Sequence, residues 1–155
     1  MTGGWTAEWK ARRDGVSCAI CVADRPEPDQ FGVRIFTSPI VDAYLQRAPI
    51  RRGHTTVLWR GRHVAEPTEL QPDEAAAYWR DVLRVGRVLE DFYRPAKMNY
   101  LVLGNTLPHL HTHIVPRHWD DPEAAAPFTF RLEFPALSEA DLAADAAAIQ
   151  QLLGA

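Results

Sequence analysis

The sequence predicts an α+β domain, an antiparallel β-sheet of about five or more strands with one long helix and a C-terminal helix packed on it. Three observations carry that expectation. Short β-branched and aromatic runs follow one another through brief turn signals, one long segment has sustained helical periodicity, and a capped helical segment closes the chain.

Taken in order, Met1 to Gly15 is a polar lead-in whose Trp5 and Trp9 are expected to pack by their indoles. Val33–Phe36 and Ile40–Leu45 read as strands separated by Ser38-Pro39, and Arg51-Arg52-Gly53 turns the chain into a third, Thr55–Trp59. Pro72-Asp73-Glu74 opens the long helix, with proline in the first turn and acids at the positive end of the dipole. Trp79, Val82, Leu83, Gly86, Leu89 and Tyr93 fall on one face of it, and Arg94-Pro95 ends it. Tyr100–Leu103 reads as a strand stopped by Gly104-Asn105, and His109–Val115 as another closed by Pro116. Phe128–Phe134 alternates apolar and polar as a half-buried strand does. Ser138 caps the last helix, with Leu142, Ile149, Leu152 and Leu153 as its apolar face.

The 155 residues suit a single domain over 1–155, and the twelve prolines are scattered as punctuation. A net charge of −3 argues against a nucleic-acid polymer as the main partner, although a small phosphorylated ligand needs only a few local donors. With no signal peptide and no apolar run long enough to span a membrane, a cytoplasmic protein without membrane contact is expected. Cys18 and Cys21 would then stay reduced, and their spacing makes them a candidate metal pair.

The chemistry concentrates in His109-Leu110-His111-Thr112-His113. On a strand, alternate side chains share a face, so the three imidazoles are expected to line up while Leu110 and Thr112 point the other way. Such a row is costly to bury and has no packing rationale. It suits a metal site, completed by His54, His63 or His118, or nucleophilic catalysis at phosphorus, where a near-neutral imidazole is both nucleophile and leaving group.

The run His109-Leu110-His111-Thr112-His113-Ile114-Val115, followed by Pro116-Arg117, resembles the defining motif of the histidine-triad (HIT) family, with Thr112 where an apolar residue is usual. Gly53-His54-Thr55-Thr56-Val57-Leu58-Trp59-Arg60-Gly61-Arg62-His63-Val64 looks like the family's Gly-His strand segment. Asn99–Thr106 with Pro108 is similar to a bacterial branch of dinucleoside-polyphosphate hydrolases. The likeness runs from about Cys18 to Arg117, leaving 1–17 as lead-in and 118–155 as a C-terminal strand and helix.

The resemblance implies His111 as nucleophile on an α-phosphate, His113 on the phosphate oxygens, and His109 orienting the others. It implies Thr106, Asn105, His54 and Gln46 as substrate contacts, with Gln46 where the family places an Asp or Asn on the ribose. Gln46 reads equally as a solvated side chain, Asn105-Thr106 equally as plain turn residues, and Arg117 either as a phosphate contact or as a surface arginine following a strand. Related proteins with a similar Cys-x-x-Cys bind zinc through positions matching Cys18, Cys21, His63 and His109, so a structural zinc and no organic cofactor are implied. The expected activity is hydrolysis of a nucleoside polyphosphate, dinucleoside polyphosphate or nucleoside phosphoramidate through a nucleotidyl-histidine, in a homodimer as is usual for the family. The alternatives are a nucleotidyltransferase or phosphorylase using the same intermediate, a weakly active nucleotide-binding regulatory module, and a metalloenzyme using the triad for a catalytic ion.

Overall fold

The structure, a computed structural model, describes residues 4–23, 31–127 and 136–154. Among the described residues five strands form one antiparallel sheet: β1 (Gly32–Thr37), β2 (Val41–Gln46), β3 (Thr55–Trp59), β4 (Lys97–Leu101) and β5 (His111–Arg117), in the order β1-β2-β3-β5-β4. Two short N-terminal helices, α1 (Ala7–Arg13) and α2 (Ala19–Val22), precede the sheet. The long helix α3 (Pro72–Tyr93) connects β3 to β4, and α4 (Glu139–Leu153) follows. The expected strand at Phe128–Phe134 lies outside the described residues.

The alternation of side chains gives the sheet two different faces. Val41, Ala43, Leu45, Val57, Trp59 and Ile114 meet Tyr78, Val82, Val85 and Leu89 of α3 and Leu142, Ile149 and Leu153 of α4 in one buried core. Burying each such side chain is worth about 1.5–3 kcal/mol, so the helices are held on this face. Thr112 also points this way, and its hydroxyl, fully buried, lies 2.8 Å from that of Tyr78. This hydrogen bond explains how a polar residue sits where an apolar one is usual. The opposite face carries Asp42, Tyr44, Thr56, Leu58, His111 and His113, aligned in register across β2, β3 and β5.

Several boundaries and faces differ from the sequence expectation. The strand expected at Tyr100–Leu103 begins earlier, at Lys97, and ends at Leu101, leaving Leu103 exposed in a loop. The strand at His109–Val115 starts instead at His111 and runs through Pro116 to Arg117. The Arg117 carbonyl accepts from the Ala96 N–H, so Pro116 turns its nitrogen away from β4, towards the side where the ladder to β3 has ended at Ile114. A missing N–H costs no ladder bond there. On α3 the buried stripe is Tyr78, Asp81, Val82, Val85, Gly86 and Leu89, while Leu83 is exposed. On α4, Ala146 takes the buried place expected of Leu152, which faces solvent. Both caps match their sequence signals: Glu74 accepts from the Gln71 N–H at the start of α3, and Ser138 accepts from the Asp141 N–H at the start of α4.

Gly53 makes the turn into β3 with a φ of +89°, and a Cβ there would lie 2.6 Å from the Tyr93 ring. Gly53→Ala should therefore combine left-handed strain with a clash against a packed ring and lower stability by about 2–3 kcal/mol. Urea unfolding of the two proteins measures this, and a loss under about 0.5 kcal/mol would contradict it.

Candidate active site and metal centre

The open face of the sheet holds a chain of imidazoles whose protons are placed by their neighbours. The Nδ1 of His111 lies 2.6 Å from the carbonyl oxygen of His109. A carbonyl only accepts, so Nδ1 bears the proton and the lone pair of His111 sits on Nε2. The Ile50 N–H points at Nδ1 of His54 (3.4 Å), which puts the proton of neutral His54 on Nε2. That Nε2–H donates to Nδ1 of His113 at 3.0 Å, and the Thr56 hydroxyl lies 3.3 Å from the same nitrogen. His113 therefore carries its proton on Nε2. The His111 and His113 rings meet edge to face with centroids 4.9 Å apart, so a ring with a free Nε2 stands next to one that bears its proton on Nε2.

Burial keeps these rings neutral. It is the main cause that lowers His111, and the His109 carbonyl opposes it. Burial first, then the neighbouring imidazole, brings His54 down to about 3 and His113 to about 4.

The third member of the row has a different environment. His109 precedes β5, is fully buried, and donates its Nε2–H to the Trp59 carbonyl at 2.7 Å. Its Nδ1 lone pair then faces Cys18 Sγ at 3.4 Å and Cys21 Sγ at 3.5 Å. His63 repeats the arrangement, with Nε2–H to the Arg13 carbonyl at 3.0 Å and Nδ1 3.2 Å from Cys21 Sγ. The four ligand atoms all lie within 4.8 Å of one another.

With zinc bonds of about 2.3 Å to sulfur and about 2.0 Å to nitrogen, the S···N edge of a tetrahedron is about 3.5 Å. The observed spacing fits. The carbonyls behind both histidines orient the rings as metal ligands require. Arg60 supports the cysteine turn, donating to the Ile20 carbonyl at 3.0 Å and to Asp42 at 2.7 Å. Burial and the adjacent Cys18 sulfur push the Cys21 thiol up to about 11, a cost that a bound cation would relieve by favouring thiolate.

The remaining expected contacts fall in two places. Gln46 ends β2 on the open face, where its N–H donates to the His54 carbonyl and its side-chain amide donates to Tyr44. Asn105 and Thr106 are exposed in the loop between β4 and β5. The Asn105 carbonyl accepts the indole N–H of Trp9 at 2.7 Å.

Arg117 is not a surface arginine. It is buried and donates to Asp121 at 2.6 Å and to Asn99 at 3.0 Å. Asp121 also takes two hydrogen bonds from buried Arg51, so this cation has a structural partner. His118 points away from the cluster, 2.9 Å from the Arg52 carbonyl. The sequence reading missed Thr56 and the Asp42–Arg60 pair. Thr56 could have been found, since it lies two residues after His54 on the same strand face.

The HIT domain family matches residues 28–120. The chain belongs to the HIT family. It is 31% identical over 91 residues to the bifunctional bis(5'-adenosyl)-triphosphatase/adenylylsulfatase FHIT of Arabidopsis thaliana, a match covering 56% of this chain. The chain spans only about half of that relative's length, 50%. A histidine triad protein from Sinorhizobium meliloti shares the fold with a TM-score of 0.71 at 22% identity, over 79% of this chain and 90% of that one. A Zn-bound histidine triad family protein from Mycobacterium smegmatis does so with a TM-score of 0.65 at 23% identity, over 89% and 96%. Among the described residues no helix of this HIT protein is long and apolar enough to cross a membrane.

The neutral imidazoles give its stability a pH dependence. In the unfolded chain His54 and His113 take up protons near pH 6.5, but in the folded chain they resist until about 3 and about 4. The unfolded state thus binds more protons in between. Stability should fall as pH drops below about 6.5, by up to about 1.4 kcal/mol per pH unit for each ring. Urea midpoints measured between about pH 7 and pH 4.5 should fall less steeply for His54→Gln than for the parent. Equal slopes would contradict a neutral, buried His54.

Proposed function

We propose that this HIT protein is a nucleotide hydrolase working through a nucleotidyl-histidine at His111, on a nucleoside polyphosphate, dinucleoside polyphosphate or nucleoside phosphoramidate. The observation that carries the reading is the placement of protons. His111 offers the Nε2 lone pair on the open sheet face, beside a His113 held as an Nε2–H donor.

The reaction follows as two displacements. The Nε2 lone pair of His111 forms a bond to the α-phosphorus as the bond to the leaving group breaks. The leaving oxygen or nitrogen takes that electron pair and then a proton. His111 becomes an imidazolium bearing the nucleotidyl group, with its charge stabilised by the His109 carbonyl at Nδ1–H. His113 Nε2–H donates to a phosphate oxygen. Water then attacks phosphorus, the N–P bond returns its electron pair to Nε2, and a nucleoside monophosphate and a proton leave. His54 and Thr56 act through His113, fixing its tautomer. Gln46 beside His54 would meet the ribose, and Asn105 and Thr106 the departing side.

Cys18, Cys21, His63 and His109 would hold a structural zinc, which when bound supplies a cross-link between the N-terminal segment and the residue before β5. His111 and His113 stand outside this ligand set, which favours nucleophilic catalysis over a catalytic ion. The packing of α4 on α3 and β1 supports reading the chain as one domain.

Intact mass after brief incubation with a panel of dinucleoside polyphosphates and nucleoside phosphoramidates should show a nucleotidyl adduct that disappears in His111→Ala. Turnover undiminished in that variant would overturn the reading. Protein purified without added metal should carry one zinc per chain, and Cys18→Ser should lose most of it. A parent protein free of zinc would remove the site.

A further inference from the structure

The N-terminal segment presents an aromatic feature that the chemistry above does not use. Trp5 and Trp9 stack with ring centroids 4.3 Å apart and 29° between their planes. Trp9 is anchored at both ends: its backbone N–H donates to the capping hydroxyl of Thr6 at 3.0 Å, and its indole N–H to the Asn105 carbonyl. Trp5, stacked on it, remains 65% exposed. An indole is a large apolar surface to leave in water, and this one is pre-ordered rather than buried.

Its mooring point decides what it can do. The loop holding Asn105 leaves β4 after Leu101, which pairs directly with His113, and returns to the sheet at His111. Both ends of the loop are therefore the ends of the reacting face. Gln46 and His54 lie on the other flank, towards β2. A nucleotide held by that flank would direct its leaving group towards the loop and the indoles.

We propose that Trp5 and Trp9 form a stacking platform for the second nucleobase of a dinucleoside polyphosphate, the base on the departing half. A planar π surface accepts any base, since stacking needs no hydrogen-bond match. The platform would leave base identity open on that side while favouring substrates that carry two bases over those that carry one. The proposal rests on the nucleotidyl-transfer reading of His111 and names its substrate class.

The test compares kcat/KM for a dinucleoside tetraphosphate with kcat/KM for a nucleoside phosphoramidate, which has no second base. The ratio of the two should fall at least about 5-fold in Trp5→Ala, the equivalent of about 1 kcal/mol of stacking. Trp5→Phe, which keeps a ring, should restore most of it. The change should appear in KM for the tetraphosphate. A ratio that moves less than about 2-fold, or a Trp5→Ala protein whose oligomeric state differs from the parent, overturns the platform, the latter by assigning the stack to an interface between copies. If neither substrate gives a His111 adduct in the parent protein, the hydrolase reading itself fails, whereas an adduct with an unchanged ratio defeats the platform alone.

Discussion

His109 is the joint on which the site depends, because it makes three directional contacts that face three different parts of the protein. Its Nδ1 faces the cysteines, its Nε2–H donates to the Trp59 carbonyl on β3, and its own carbonyl accepts the Nδ1–H of His111. The first two orient the ring. The third uses the backbone of the same residue to determine where the lone pair of His111 lies. Moving His109 by an ångström would misplace the cysteine cluster and the His111 imidazole together, since one geometry uses its side chain and the other its carbonyl.

The rest of the open face is organised to keep those contacts in place. Burial keeps His54, His109, His111 and His113 neutral, and a neutral ring has one donor and one acceptor, so the tautomer of each is decided by its neighbour. Ile50 N–H fixes His54, His54 fixes His113, and the carbonyls of Trp59 and Arg13 fix His109 and His63. Beyond the strand, Arg51 and Arg117 share Asp121, whose carboxyl these guanidiniums hold well below the usual range. Removing one partner from such a buried group would leave an uncompensated charge. The network ties the end of β5 to the turn that leads into β3, so both strands that carry the imidazoles are anchored at the same end.

Much of this was legible in the chain. The order of the elements followed from hydrophobic periodicity and caps, and β3 and α3 fall almost where their residues predict. The triad and the cysteine pair stood out by residue type and spacing, and His63 and His109 joined the pair as ligands through the family resemblance. The errors have specific causes. Pro116 reads as a strand end because proline lacks an N–H, yet it is harmless where its nitrogen faces away from β4 and the ladder to β3 has ended. Leu83 and Leu152 read as core, but the helix face is set by what packs on it. The burial of Arg117 depended on Arg51 and Asn99, distant in the chain, gathering around it and the nearby Asp121.

Alternation along a strand was enough to place His111 and His113 on one face, because it is a property of the local backbone. The division of the histidine row was not a local matter. That His109 joins Cys18, Cys21 and His63, that His54 reaches His113, and that the indole of Trp9 is moored on Asn105 all bring together residues distant in the chain. The sequence by itself determined which chemical groups were present and, through periodicity, which face of a strand they share. Only the tertiary structure decided which nitrogen carries each proton, because that depends on a donor or acceptor supplied from another part of the chain.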